Sequence, residues 1–212
     1  MPSTGGREKL RVTVLVSGGG TNLQALLDAA ARGELPHVEI VQVISNHKKV
    51  YALERAARAG VPALAITRKE TGSQEAFEAA LTAALEAAGT ELIVLAGFLS
   101  ILSADFVRRW PRRILNIHPA LLPAFGGKGC YGLHVHEMAL ARGVKLTGAT
   151  VHYVNEIPDG GEILTQKAVE VLPGDTPELL QRRVMEQAEW VILPRTVEQV
   201  AAGLVQEENT HV

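Results

Sequence analysis

The chain has 212 residues, of which 47% are hydrophobic and 21% charged, and its formal net charge is −2 at pH 7. These values predict one soluble globular domain with a proper core, and they give no electrostatic reason to expect a nucleic acid as partner. Residues 1–8 are small and polar, and no apolar h-region follows a basic start, so a signal peptide or membrane span is not predicted there. We predict a disordered tail over residues 1–8, a single domain over residues 9–212, no membrane partner and a cytoplasmic location.

The only cysteine, Cys130, excludes an intrachain disulfide framework and fits a reducing compartment. It lies in a glycine-rich stretch, and its local sequence offers no paired base. A spare loop thiol is therefore favoured over a catalytic nucleophile.

The first part of the chain alternates between strand-like and helix-like patterns. Apolar runs predict strands at residues 10–16, 38–44, 63–66, 92–96 and 114–117. Helical spacing predicts helices at residues 23–30, 51–59, 73–88 and 103–110. This alternation predicts an α/β fold, doubly wound, with a mostly parallel sheet and helices on both faces.

The pattern changes after the fifth strand. A predicted helix over residues 134–142 is followed by two strand-like runs, 146–154 and 163–171, which flank one turn-rich segment. Two strands around one turn predict an antiparallel C-terminal strand pair.

The C-terminal segment, residues 176–205, predicts one long helix. Asp175 or Thr176 is expected to cap it, because Pro177 then occupies an early, tolerated position. Pro194 is expected to break or kink it.

A glycine-rich turn at residues 17–22 links the first strand to the first helix. Backbone N–H groups and the positive end of a helix dipole would face one spot there, which suits a phosphate. The turn is not a Walker A loop, and it is a poor dinucleotide fingerprint because Leu23 replaces the third glycine. Two interpretations stay open: Gly20, Thr21 and Asn22 hold a phosphate, or Thr21 or Asn22 caps the helix at a tight turn.

The strongest candidate site joins Asn116 and His118 to Asp159. Asn116 and His118 alternate along a strand, so their side chains leave the same face, at the strand end where ligands of α/β sheets usually bind. Asp159 is followed by two glycines. An amide, an imidazole and a carboxylate are groups that can move an acyl group to an amine. The alternative is a histidine that is merely hydrogen-bonded at the end of a strand.

The other titratable residues carry weaker signals. His134 and His136 are two residues apart, so a helix would point them in different directions, and no metal site is predicted. His152 is interpreted as structural. Glu186 and Glu189 lie three apart and share one face of the last helix, for which a charged solvent face is the default.

Four segments together resemble the phosphoribosylglycinamide formyltransferase family of purine biosynthesis, over residues 11–203. They are residues 17–24 (SGGGTNLQ), 95–102 (LAGFLSIL), 115–123 (LNIHPALLP) and 148–161, which ends in Asp-Gly-Gly. The resemblance implies a Rossmann-like formyltransferase fold. It also implies transfer of a formyl group from 10-formyltetrahydrofolate, as co-substrate, to the amine of glycinamide ribonucleotide, with no metal.

The resemblance assigns expected roles by position. Residues 9–110 would form the phosphate- and nucleotide-binding half, and residues 111–212 the folate-binding and catalytic half. The catalytic residues would be Asn116, His118 and Asp159. The ribonucleotide would be bound by Gly20, Thr21, Asn22, Glu186 and Glu189. The folate would be bound by Gln74, Leu99, Ser100, Ile101, Leu102, Asn116, Asn155, Glu156, Ile157, Pro158 and Asp159.

Several residues depart from the family's pattern. Ser100 stands where members often carry arginine, Gln74 stands where an arginine contacts the folate, and Pro158 replaces a leucine before Asp159. The stretch 124–132 is longer than in some members. These departures concern the folate-tail contacts and the shape of a loop, and they leave the three catalytic positions unchanged.

The chemistry expected of such a site is direct attack of the amine on the formyl carbon. Asn116 and protonated His118 would stabilise the developing oxyanion, and Asp159 would raise the pKa of His118. The nearest rivals are formyltetrahydrofolate hydrolase and methionyl-tRNA formyltransferase, whose additional domains have no room in 212 residues. A non-catalytic nucleotide-binding module of the same fold is a third possibility. A monomer or a homodimer is expected.

Overall fold

The computed structural model describes residues 8–210, with side chains as far as residue 207. The predicted tail therefore lies outside the described residues, apart from its last residue. The elements in chain order are β1 (Leu10–Val16), α1 (Thr21–Ala31), β2 (Val38–Ser45), α2 (Tyr51–Arg58), β3 (Ala63–Ala65), α3 (Arg68–Thr71), α4 (Gln74–Ala87), β4 (Leu92–Leu95), α5 (Ala104–Arg108), β5 (Ile114–His118), α6 (Leu133–Arg142), β6 (Leu146–Tyr153), β7 (Ile163–Glu170), α7 (Pro177–Val184), a π-helical turn (Met185–Glu189) and α8 (Trp190–Thr210).

The strands form one sheet of order β3-β2-β1-β4-β5-β6-β7. Strands β1 to β5 pair in parallel, whereas β6 runs antiparallel to both β5 and β7. The predicted fold class, with its antiparallel C-terminal pair, is thus confirmed. The pairing of β6 with β5 gives a second antiparallel contact that the sequence did not predict.

Both faces of the central strands are buried. Val14 and Leu15 are adjacent in β1 and fully buried, yet they belong to separate hydrophobic clusters on opposite faces of the sheet. All four residues of β4 are buried as well, as a continuous apolar run predicts for a strand covered on both faces. Helices therefore cover the sheet on both sides.

The C-terminal helix differs from its prediction. Thr176 caps α7 by accepting a hydrogen bond from the Leu179 N–H, as expected. Of the break or kink predicted at Pro194, the break is wrong, because Pro194 lies inside α8 and the helix continues through it; the kink stays a prediction. Its neighbours Leu193 and Val197 are fully buried, and this packing outweighs the one backbone hydrogen bond that a proline removes. The irregularity lies earlier, in the π-helical turn.

The sheet places a cleft where its strand order reverses. β1 and β4 are neighbours, and the chain leaves them towards helices on either side, so their C-terminal loops diverge. This topological switch point is where open α/β sheets bind ligands.

Within residues 8–210, no helix is long and apolar enough to span a membrane.

Candidate active site

A cleft of about 730 Å³ opens at the carboxyl ends of β1, β4 and β5. Its walls are the loop after β1, the loop after β4, the end of β5, the glycine-rich segment 127–132 and the π-helical turn. A smaller pocket of about 130 Å³ adjoins it. The two share six lining residues, which are Phe98, Ser100, Ile101, Asn116, Pro158 and Asp159. The predicted catalytic residues Asn116 and Asp159 therefore lie at the junction of two pockets.

The loop after β1 exposes the N-terminus of α1 to the cleft. Gly20 occupies the cap position with φ 72°, and a Cβ there would lie 2.6 Å from the Cβ of Ala52, so only glycine fits. No side chain caps α1, which removes the interpretation in which Thr21 or Asn22 does so. Gly20, Thr21 and Asn22 all line the cleft. The first-turn N–H groups thus have no side-chain acceptor, as an anion site requires.

Asn22 contacts the π-helical turn on the far side of the cleft. Its Nδ2 donates a hydrogen bond of 2.5 Å to Oε2 of Glu189. Glu189 is 5% exposed, and this burial raises the pKa of its carboxyl to about 7, although the Asn22 bond acts to lower it. The expected solvent face is therefore wrong for Glu189.

Glu186 does not accompany Glu189. It is exposed and does not line the cleft. The π-helical turn is the reason. It has more residues per turn than an α-helix, so two residues three apart no longer lie on the same face. Of the two glutamates expected at the ribonucleotide, the structure places one in the cleft.

Strand β5 presents Asn116 and His118 on one face, as predicted. In the antiparallel register Asn116 lies opposite His152, and His118 lies opposite Thr150. Thr150 fixes the segment after β5, because its hydroxyl donates to the Ala120 carbonyl at 2.7 Å and accepts from the Leu122 N–H at 3.1 Å. The end of β5 is therefore held in place by its neighbouring strand.

Asp159 lies between these side chains. Its Oδ2 accepts a 2.8 Å hydrogen bond from the Gly127 N–H and is 3.6 Å from Nδ1 of His118. Its Oδ1 is 3.5 Å from Nδ2 of Asn116. Burial raises the pKa of Asp159, but His152, His118 and the Gly127 N–H together outweigh that effect and hold the pKa below its ordinary value. Asp159 is thus an anion.

The loop that carries Asp159 requires glycine at both Gly160 and Gly161. A Cβ at Gly161 would lie 1.7 Å from the carbonyl oxygen of Tyr153, and one at Gly160 would lie 2.7 Å from the side chain of Ile157. Asp159 itself has φ 54°, a left-handed conformation that aspartate tolerates better than most residues. The Asp-Gly-Gly sequence therefore folds the tight loop that carries the carboxylate back to β5.

His118 is buried, and its protonation differs from the prediction. Burial lowers its pKa, while Asp159 and the Phe125 carbonyl act to raise it, and the net direction is downward. Asp159 thus acts to raise the pKa of His118, as expected, but the expectation of a protonated His118 is wrong, because desolvation of the imidazolium is the larger effect on the pKa. The Nε2–H donates to the Phe125 carbonyl at 2.8 Å, so neutral His118 carries its lone pair on Nδ1, the nitrogen nearer Asp159.

His152 is the site residue that the sequence interpretation missed. It is 1% exposed, and its Nδ1–H donates to the Tyr153 carbonyl at 2.8 Å. Its Nε2 then accepts from Nδ2 of Asn116 at 3.1 Å, which fixes the orientation of that amide. The alternating pattern of residues 146–153 indicates that His152 lies in a strand. It does not show that His152 lies opposite Asn116, because that depends on the register between β5 and β6.

The residues expected at the folate divide into four groups. Leu99 lines only the large cleft, and Leu102, Asn155 and Glu156 line only the smaller pocket. The residues that line both are Ser100, Ile101, Asn116, Pro158 and Asp159. Gln74 and Ile157 line neither of the two. Gln74 instead donates to the Ile101 carbonyl at 3.1 Å, and the side chain of Ile157 is 65% exposed.

Two further expectations concern the loop and metals. Cys130 is half-buried in the glycine-rich segment that lines the cleft. Among the residues that the structure describes, no three His, Cys, Asp or Glu side chains converge as a ligand set for a metal ion.

Comparison with known proteins places this geometry in a family. The formyl transferase family model matches residues 10–197. The chain is 48% identical over 196 residues to the trifunctional purine biosynthetic protein adenosine-3 of Drosophila pseudoobscura pseudoobscura, covering 91% of the chain but only 14% of that much longer protein. It is 38% identical over 193 residues to the phosphoribosylglycinamide formyltransferase of Haemophilus influenzae, covering 91% of the chain and 88% of the relative.

A solved structure agrees with these matches. The glycinamide ribonucleotide transformylase 1 of Symbiobacterium toebii superposes with a TM-score of 0.86 at 45% identity, covering 92% of this chain and 89% of that one. The superposition with this structure, the family model and the bacterial relative all lead to one conclusion. The chain belongs to the phosphoribosylglycinamide formyltransferase family of formyl transferases.

Proposed function

We propose that the protein transfers the formyl group of 10-formyltetrahydrofolate to the primary amine of glycinamide ribonucleotide. The observation that carries the proposal is the convergence of Asn116, His118 and Asp159 at the junction of two pockets. One pocket leads to an uncapped helix N-terminus and the other to an exposed apolar loop. Such an arrangement suits a phosphorylated acceptor on one side and a largely apolar donor on the other.

The acceptor occupies the larger cleft in this proposal. Its phosphate lies on the backbone N–H groups of Gly20, Thr21 and Asn22, at the positive end of α1. The buried carboxyl of Glu189 binds further along the nucleotide, towards the glycinamide end. Asn22 and Glu189 are hydrogen-bonded to each other. The phosphate loop and the π-helical turn would therefore bind the nucleotide together.

The donor occupies the smaller pocket and the loop after β4. Leu99 and Ile101 are 56% and 66% exposed, which is unusual for large apolar side chains beside a pocket and suits an aromatic ring system. Ser100 is held by a 2.6 Å hydrogen bond from Asn46. With serine there and Gln74 turned towards the Ile101 carbonyl, this rim supplies no arginine for the acidic folate tail.

The mechanism follows from the protonation states. Neutral His118 accepts a proton from the attacking amine at Nδ1, as a bond forms between the amine nitrogen and the formyl carbon. The Asn116 amide donates to the developing oxyanion, and Asp159 stabilises the imidazolium that His118 becomes. The carbon–nitrogen bond to the folate then breaks, and the proton passes from His118 to the departing folate nitrogen. His152 orients Asn116 throughout.

An acceptor competition tests the proposal. The enzyme is incubated with 10-formyltetrahydrofolate and glycinamide ribonucleotide, with methionyl-tRNA, or with water alone, and tetrahydrofolate release is followed. We expect release to depend on the ribonucleotide. Equal release in water alone would identify a hydrolase, and release that requires the charged tRNA would identify a different formyl acceptor.

A further inference from the structure

His136 is a buried polar residue that the proposed mechanism leaves unused. It lies in α6, is 0% exposed, and lines the large cleft. Neither Nδ1 nor Nε2 has a hydrogen-bond partner among the described residues. In contrast, the other two buried histidines, His118 and His152, each donate to a backbone carbonyl at 2.8 Å. A buried polar atom without a partner costs about 1–3 kcal/mol, so a binding partner for the ring is to be expected.

The protonation state restricts what that partner is. Burial, with a smaller contribution from nearby His118, lowers the pKa of His136 to about 4. The ring is therefore neutral at pH 7 and offers one N–H donor and one lone-pair acceptor. A phosphate or carboxylate can only accept and an ammonium group can only donate, whereas a hydroxyl or an amide can do both.

The position of His136 restricts the partner further. The phosphate loop, which is bonded to Glu189 through Asn22, lines the same cleft as His118, the proposed proton acceptor. His136 is close enough to His118 for the charge of one to affect the other, and α6 packs against α7, which leads into the π-helical turn. A ligand that extends from the phosphate loop to His118 therefore lies along a cleft whose wall includes His136.

We propose that His136 is a further binding residue for the acceptor, hydrogen-bonding as a neutral imidazole to a hydroxyl or amide between its phosphate and its reacting amine. The inference rests on the proposed function, because that function supplies an acceptor with both groups: ribose hydroxyls and the glycinamide amide. No proton transfer is assigned to His136. It selects acceptors that carry a combined donor and acceptor at this point.

The test compares three variants. His136→Leu removes both ring nitrogens, His136→Gln keeps one donor and one acceptor, and His134→Leu makes the same change at a neighbour that is 57% exposed and paired with Glu137. We expect His136→Leu to raise the KM for glycinamide ribonucleotide by about tenfold, the value of one neutral hydrogen bond. The KM for the formyl donor should stay within about twofold, His136→Gln should recover part of the loss, and His134→Leu should match the wild type.

Acceptor analogues show whether His136 contacts a ribose hydroxyl or the glycinamide amide. If a ribose hydroxyl is the partner, the His136→Leu penalty disappears with the corresponding deoxyribonucleotide. If the amide is the partner, the penalty disappears with an ester analogue instead. Either result supports the inference.

A folded His136→Leu variant with unchanged nucleotide KM overturns the inference. Should this variant fail to fold, ¹⁵N NMR of the wild-type ring decides, since ring shifts that do not change at saturating nucleotide also overturn it. A failure of the proposed function is recognised separately, because the wild type would then neither bind nor formylate the ribonucleotide.

Discussion

Replacing Asp159 with asparagine removes one charge at nearly constant shape, next to the histidine that must become cationic. The carboxylate lies 3.6 Å from Nδ1 of His118 and has a side chain that is 16% exposed. Two unit charges at about 4 Å interact by about 4 kcal/mol at an effective dielectric constant of 20. A 100-fold loss of rate corresponds to about 2.7 kcal/mol, which is well within this interaction. We therefore expect Asp159→Asn to lower turnover by at least about 100-fold, with both ligands still binding within a few-fold.

The assay pairs single-turnover formyl transfer with an NMR titration of His118. Burial already lowers the pKa of His118, and removing the anion that opposes this effect should lower the pKa further. Asp105→Asn is the matched control, because Asp105 is 81% exposed and paired with Arg108 at the surface. An unchanged pKa of His118 together with an unchanged transfer rate would remove Asp159 from the mechanism, and the Asp-Gly-Gly segment would then be only a turn.

Three further predictions concern the cleft. Asn22→Leu should raise the KM for the ribonucleotide and leave folate binding unchanged; an equal loss of folate affinity would show that the two ligands are wrongly assigned to different loops. Glu189 is protonated more readily when folded, with a pKa of about 7 against an ordinary 4.5, so its own contribution to stability should fall by about 3 kcal/mol as pH rises from 4.5 to 7. His136, with a pKa of about 4 against an ordinary 6.5, acts in the opposite direction over this range, so the Glu189 contribution is measured as the difference between the wild type and a variant. Glu189→Gln should lose this pH dependence in thermal melts, whereas the exposed-site control Glu186→Gln should keep it. Cys130→Ser should retain near-wild-type turnover, and a loss of about 100-fold or more would revive covalent catalysis.

Much of the fold was predictable because its signals are local. The apolar run of β4 and the glycine that follows α2 each carry their meaning within a few residues. The same holds for Asn116 and His118, whose alternation along β5 follows from strand geometry alone. The predicted break at Pro194 is wrong because the local rule ignores the packing of α8 against the core.

The remaining features depend on distant parts of the chain. His152 joins the site only through the register of β6 against β5, and Glu189 joins it through a π-helical turn and a bond to Asn22, far away in sequence. The direction of the His118 pKa depends on how deeply the ring is buried. A sequence pattern identifies these residues as titratable but does not give their burial or their partners.

The measurement that tests the central claim most directly follows a ¹³C-labelled formyl group through a single turnover. Wild-type enzyme, 10-formyltetrahydrofolate and glycinamide ribonucleotide should give one labelled N-formyl nucleotide for each tetrahydrofolate released. His118→Asn should bind both ligands and transfer the label at least about 100-fold more slowly. Label recovered as free formate, or a His118→Asn variant that transfers at the wild-type rate, would contradict direct transfer at this site.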